Sequence, residues 1–210
     1  MVKEQVLNQF LDALSSNAPS PGGGGASALA GAFGASLSLM VISLTLGKKA
    51  YADAEEELQK DQAELIRLKE TFLMLADRDE EVFLPLMQAY AMPRSTSAER
   101  SIRQKVLNKA LKEAASVPLE VMETASEALK VTLRVAKCGS KMAISDAGVA
   151  ASYLRTALEG GALNVQINLQ SMKDSEEKEA LGAKTEELKK TGKRLAARII
   201  RIVGERIGQK

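Results

Sequence analysis

The sequence predicts an all-α protein, a helical bundle of about six helices around one central, buried, Ala/Gly-rich helix. Three observations carry this. Apolar residues recur at steps of three and four through nearly every segment between the Pro and Gly breaks, which is the period of an amphipathic helix. Only residues 163–170, Leu-Asn-Val-Gln-Ile-Asn-Leu-Gln, alternate as a strand does. No other segment offers them a strand partner, so helix is the better reading there too. Finally, no charge falls between Asp12 and Lys48, which sets one long stretch aside for the interior.

With 210 residues and 45% apolar composition, the chain has the material for one domain, read as residues 1–210. Residues 2–16 carry Val2, Val6, Phe10, Leu11 and Leu14 at helical spacing. Asn17-Ala18-Pro19-Ser20-Pro21 and four glycines, Gly22 to Gly25, then break the chain. Residues 26–46 form the uncharged helix. It is long enough to cross a bilayer. Its Ser and Gly content, the few large aliphatics before Leu37 and the lack of a second such run favour a helix buried on all sides in a bundle. Residues 52–92 are amphipathic through Leu65, Leu68, Phe72, Leu75, Val82, Leu86 and Tyr90, with a kink expected at Pro85. A further helix is expected from about 97 to 137, interrupted at Pro118 and closed by Gly139. Ser145-Asp146 reads as a fresh start running to about Glu159. The last helix, about 175–208, has its stripe at Leu188, Leu195, Ile199, Ile202 and Ile207.

Composition excludes several function classes. Lys plus Arg is 29 against 27 for Asp plus Glu, so a net charge of +2 gives no field to attract nucleic acid or an anionic membrane. Nine Lys or Arg residues against three Glu between Lys184 and Lys210 read as a solvated helix face. Aromatics are 3%, too few for stacking platforms. Neither nucleic acid nor membrane is therefore expected as a partner. The single cysteine, Cys138, rules out an internal disulfide and suits a reducing compartment. The opening MVKEQVLNQF does not read as a signal peptide, so the expected location is the cytoplasm. With no histidine, acid–base chemistry falls to carboxylates, Lys, Tyr or Cys138.

Four features could carry chemistry. Pro21, Gly22, Gly23 and Gly24 open directly into a helix, where free N–H groups and the helix dipole could cradle a ligand. A flexible elbow is the equal alternative. Asp79 interrupts the apolar stripe between Leu75 and Val82, so partial desolvation should raise its pKa; a carboxylate at the bundle edge paired with Lys or Arg is the plainer reading. Asp77, on a more polar flank, is the weaker candidate. Asn164 and Asn168 share one helical face and could read the edge of a heterocycle, although hydrogen bonding between helices explains them as simply. Lys48 and Lys49 suit a helix C-terminus and could also hold an anionic tail. Ser145-Asp146 is explained by N-capping.

In this order these segments resemble the formiminotetrahydrofolate cyclodeaminase and methenyltetrahydrofolate cyclohydrolase family. Pro19 to Gly25 is similar to its Pro-Gly-Gly-Gly-Ser start, and Leu46-Gly47-Lys48-Lys49-Ala50-Tyr51 to its Gly-Lys/Arg-Lys/Arg segment. Asp79-Glu80-Glu81-Val82-Phe83 resembles Asp-x-x-Ala-Phe, and Ala89 to Arg94 resembles Ala-Tyr-Arg-Leu-Pro-Lys. Ala114 to Leu119 resembles Ala-x-x-Val-Pro-Leu. Ser145-Asp146 and Asn164 to Leu169 resemble Ser-Asp and Asn-Val-x-Ile-Asn-Leu. Departures are the fourth glycine with Ala26 after it, and Ala91 where the family often has Arg, which weakens any role for a cation there.

The resemblance implies an all-helical homodimer acting on a tetrahydrofolate derivative, with no cofactor beyond that substrate and no metal. It implies hydrolysis of methenyltetrahydrofolate to formyltetrahydrofolate, cyclisation of formiminotetrahydrofolate with loss of ammonia, or both. Lack of a formiminotransferase domain tilts the expectation toward the hydrolysis. The resemblance places catalysis on Asp79, the pterin against Pro21, Gly22, Gly23, Gly24, Asn164 and Asn168, and a glutamate tail, which can be polyglutamylated, on Lys48 or Lys49. Asp146 is carried with them as a ligand contact. A non-catalytic helical folate-binding or scaffold protein is the alternative, which Asp79 held in a salt bridge with no cleft beside it would indicate.

Overall fold

A computed structural model describes residues 6–208 and contains, among them, six α-helices and no strand. They are α1 (Leu7–Leu14), α2 (Gly23–Ser43), α3 (Glu55–Ala91), α4 (Ser97–Cys138), α5 (Ile144–Ser171) and α6 (Glu176–Gly208). Short 3-10 helices, Lys49–Ala54 and Lys141–Ala143, lead into α3 and α5. Of the first helix expected from the sequence, Val2 lies outside the described residues. The strand-like run 163–170 is helical because it continues α5, which passes through Gly160 and Gly161 without the break expected near Glu159. Pro85 and Pro118 lie inside continuous helices rather than ending them. α4 starts from a capping box in which the Thr96 hydroxyl accepts from the Glu99 N–H, and it ends at Gly139 as expected.

The bundle is antiparallel through most of its pairs. α2 runs against α3 and α5, and α4 runs against the same two helices. α6 closes the side formed by α4 and α5, where the Arg206 guanidinium donates to the Ala136 and Gly139 carbonyls. Small residues bring α2 close to its neighbours. A Cβ on Gly34 would stand 2.6 Å from the Leu154 side chain, so only glycine fits at that crossing. The hydroxyls inside have partners: Ser38 and Thr132 lie 2.8 Å apart across α2 and α4, where one donates to the other, and each also lies within hydrogen-bond distance of a carbonyl of its own helix.

α2 is central but not enclosed. Eleven of its 21 residues are buried, and the opposite stripe, including Phe33 and Met40, is exposed. Burial on all sides was the wrong inference from an all-apolar composition, since an outer apolar face leaves the same imprint on the sequence. α2 is the one helix among the described residues long and apolar enough to span a membrane. About half of that stretch is occupied in packing the bundle.

Several ion pairs join α3 to α4, two of them at least partly buried. Arg78 donates to both carboxylate oxygens of Glu120. Deeper in, Asp61 is 3% exposed and accepts from Arg134 Nε at 2.9 and 3.2 Å. Removing Arg134 leaves the buried Asp61 carboxylate without its cation. Arg134→Leu should therefore lower the unfolding free energy by about 2–3 kcal/mol, the scale of a hydrogen bond to a buried charge. Arg134→Leu combined with Asp61→Leu should recover most of that loss in urea titrations, whereas additive losses would mean that the pair is not a coupled unit.

Candidate active site

The last residues of the α1–α2 loop and the first turn of α2 meet the C-terminal half of α3, the middle of α4 and the C-terminal end of α5 at one cavity of about 220 Å³. Pro19, Ser20, Gly22, Gly23 and Gly24 form one wall, and Asp79, Val82, Phe83 and Leu86 of α3 form the next. Ala114 and Pro118 of α4 and Asn164, Ile167 and Asn168 of α5 close it. Most of the lining is apolar, with a carboxyl group and two primary amides set into it.

The helical period of α3 turns Asp79 toward the start of α2. Gly22 caps α2 in an extended conformation without a side-chain bond, so the first N–H groups lack intrahelical acceptors. The Gly25 N–H donates to Asp79 Oδ2 at 2.8 Å. Gly24 lies against the same carboxyl, where an added Cβ would stand 2.0 Å from Oδ1. The backbone can approach only because Gly24 has no side chain. Burial raises the Asp79 pKa above its ordinary 3.8; the Gly25 N–H opposes this, and the nearby Glu80 adds to it. The adjacent Arg78 does not offset the effect, because its guanidinium is committed to Glu120. Among the described residues no cation pairs with Asp79, so the salt-bridged carboxylate of the scaffold reading is not what forms.

Asn164 Nδ2 donates to the Gly160 carbonyl at 2.9 Å, and Asn168 Nδ2 donates to the carbonyls of Asn164 and Ala114 at 2.9 and 3.2 Å. These bonds fix both amides, and the one to Ala114 ties α5 to α4. Each residue keeps Oδ1 as an acceptor on the cavity wall. The asparagines therefore organise the packing and also line the cavity.

Four expected residues do not line the cavity. Pro21 is buried between Ser20 and Gly22, which do line it, and the other three lie far away. Lys48 and Lys49 follow the other end of α2, whose 21 residues span about 30 Å. Asp146 is in the first turn of α5, about 27 Å along that helix from Asn164. Straight helices cannot fold these residues back to the cavity within one chain. Nor do Ser145 and Asp146 cap α5, which begins at Ile144 with Ala143 as its cap residue and no side-chain bond. Val82, Phe83, Leu86, Pro118 and Ile167 were not singled out as site residues. Ile167 was findable, since it shares the helical face of Asn164 and Asn168. The others are ordinary core residues by pattern.

A sequence profile of the formiminotransferase-cyclodeaminase family matches residues 6–187. The chain belongs to that family. It is 37% identical over 174 residues to the methenyltetrahydrofolate cyclohydrolase of Methylorubrum extorquens, covering 83% of this chain and 84% of that protein. It is 30% identical over 194 residues to the mouse formimidoyltransferase-cyclodeaminase, covering 92% of this chain but 36% of the mouse protein. A crystal structure of formiminotetrahydrofolate cyclodeaminase from Thermotoga maritima superposes with a TM-score of 0.88 at 28% identity, over 98% of each chain.

A raised carboxyl pKa has a consequence for stability. The folded protein holds the Asp79 proton more tightly than the unfolded chain does. Asp79 thus favours folding while protonated, and that contribution is lost as pH rises through the raised value. Asp79→Asn should gain stability relative to the unaltered protein between about pH 4 and pH 7, read as urea midpoints across that range. A difference independent of pH would show that the carboxyl is not desolvated. Gly24→Ala should displace Asp79 and remove this pH dependence while the helical circular dichroism is retained.

Proposed function

We propose that the protein is a tetrahydrofolate one-carbon enzyme whose main reaction is hydrolysis of 5,10-methenyltetrahydrofolate to formyltetrahydrofolate, carried out at the Asp79 cavity. One observation carries the reading: an unpaired, partly buried carboxyl group faces a largely apolar cavity that also presents amide acceptors. The match to the Methylorubrum cyclohydrolase, which covers most of both chains, supports hydrolysis as the main reaction. Cyclisation of formiminotetrahydrofolate is the second reading, supported by the fold match to the Thermotoga cyclodeaminase.

The substrate is a delocalised cation with one electrophilic carbon between two nitrogens. The Asp79 carboxylate stabilises that charge and holds a water against the carbon. As the water oxygen bonds to carbon, one proton passes to Asp79. The adduct then collapses. The carbon–oxygen bond becomes a carbonyl, one carbon–nitrogen bond breaks, and the leaving nitrogen takes the proton from Asp79. The remaining hydroxyl proton goes to solvent, so one carboxyl group serves as base and then as acid. Val82, Phe83, Pro118 and Ile167 pack the flat pterin, and Asn164 and Asn168 accept from its N–H groups. In the deamination Asp79 supplies the proton that leaves with ammonia. Neither reaction calls for a metal or a redox cofactor. A cytoplasmic homodimer, with the folate carrying one or more glutamates, completes the proposal.

Loss of methenyltetrahydrofolate absorbance and release of ammonia from formiminotetrahydrofolate, followed with purified protein, test the reading. Neither signal would end it, and ammonia release alone would favour the cyclodeaminase. Asp79→Asn should lower kcat by roughly 10²–10⁴ and change folate affinity far less, since the loss lies in the transition state. Asp77→Asn should be mild. Near-normal turnover by Asp79→Asn would remove this residue from the mechanism.

A further inference from the structure

Pro118 stands inside α4, where it has no N–H to give to the carbonyl four residues back, and its ring crowds that same carbonyl. The carbonyl belongs to Ala114, a buried residue. A buried carbonyl left without a donor is costly. Here the donor comes from another helix. Asn168 Nδ2 on α5 reaches the Ala114 carbonyl at 3.2 Å and also donates to the Asn164 carbonyl at 2.9 Å. α5 can come this close because Gly161 lies against α4, where an added Cβ would stand 2.9 Å from the Pro118 carbonyl. Pro85 in α3 differs. It opens the Glu81 carbonyl in the same way, but Pro85 and Glu81 are both exposed, so water is at hand.

Both hydrogens of the Asn168 amide are thus committed to carbonyls. Turning the amide over would lose both bonds and set Oδ1 against two carbonyl oxygens. Only one orientation remains. In it Oδ1 accepts no bond among the described residues and is not closed off from solvent, since Asn168 lines the cavity. Asn164, by comparison, is held by a single Nδ2 bond, made within its own helix to the Gly160 carbonyl. We propose that Pro118 is a positioning residue of the site. By withholding an N–H from Ala114 it holds the Asn168 amide with its acceptor toward the cavity, and so favours a ligand that brings an N–H donor to that wall. This action through Asn168 is separate from the contact that the Pro118 ring makes as part of the lining. That the donor belongs to a tetrahydropterin rests on the folate reading, whereas the orientation of the amide does not.

The test compares the unaltered protein with Pro118→Ala, Asn168→Ala and the double variant. In protein labelled with nitrogen-15 at asparagine, the Asn168 side-chain amide signals are identified by their loss in Asn168→Ala. They should exchange slowly with water in the unaltered protein and several-fold faster in Pro118→Ala, where a restored N–H competes for the Ala114 carbonyl. Equal rates would overturn the proposal. In urea, Asn168→Ala should lower the unfolding midpoint, because it leaves the Ala114 carbonyl without a donor. Pro118→Ala supplies an N–H, so it should raise the midpoint by more in that background than in the unaltered one. The same change in both backgrounds would show that the two residues do not share the carbonyl. With 5,10-methenyltetrahydrofolate, Pro118→Ala should raise KM about fivefold, the scale of one hydrogen bond. Its kcat should stay nearly unchanged, because the contact serves ground and transition states alike. In the Asn168→Ala background the same substitution should add little to KM, so the double variant regains stability without regaining affinity. A full rise in KM in both backgrounds would reduce Pro118 to a packing surface, and a joint fall of kcat and urea midpoint would leave it a residue of the fold alone. Absence of any folate turnover would end the folate reading and leave amide exchange and the urea cycle to decide the orientation.

Discussion

The close approach between the Asp79 carboxyl group and the first turn of α2 is the constraint on which the rest of the site depends. It requires a helix that begins in glycine, because a Cβ on Gly24 would overlap the carboxyl oxygens. It fixes the spacing of α2 and α3 at this end through the Gly25 N–H. It also requires the neighbouring cation to be engaged elsewhere, which the Glu120 carboxylate on α4 does for Arg78. The result is a carboxyl group with one backbone donor and no counter-cation among the described residues, set in an apolar wall. Burial raises its pKa against the pull of the helix start. Such a group costs stability and holds a proton available for transfer, which is the exchange expected where chemistry is done.

Much of this was legible in the sequence. The step of Asp79 on its helix placed a carboxyl on the apolar side of α3, and the absence of histidine left carboxyl groups as the main candidates for proton transfer. Pro21 and the glycines directly before a helix marked a place where backbone meets something closely. That partner includes the Asp79 side chain itself, which no local pattern could show because the two lie 54 residues apart in the chain. The asparagine pair was read correctly as sharing a face, while its second duty, bonding Ala114 across to α4, belongs to tertiary packing. Residues 163–170 show how period can mislead. Their strict alternation comes from Asn164 and Asn168 lining a cavity, with the partly exposed Ile167 at its edge and Leu163 in solvent, on a helix whose inner side holds Val165 and Leu169.

Distance along straight helices explains what was not legible. Lys48, Lys49 and Asp146 share motif order with the cavity residues, and order along a chain says nothing of which end of a bundle a residue reaches. An up-down helix about 30 Å long sends the two ends of a motif set to opposite ends of one subunit. A motif set can therefore be legible in a sequence while the fold of one chain does not bring its members together.

α2 shows why composition alone could not tell which of its faces the fold covers. Its inner face is built of Gly, Ala and Ser, which let three helices approach, and its outer stripe of Phe, Leu and Met. Both are uncharged, so no polar side marks where the fold stops. A helix that is apolar all round reads as buried in its own subunit, and the same composition results when its burial is shared between two chains.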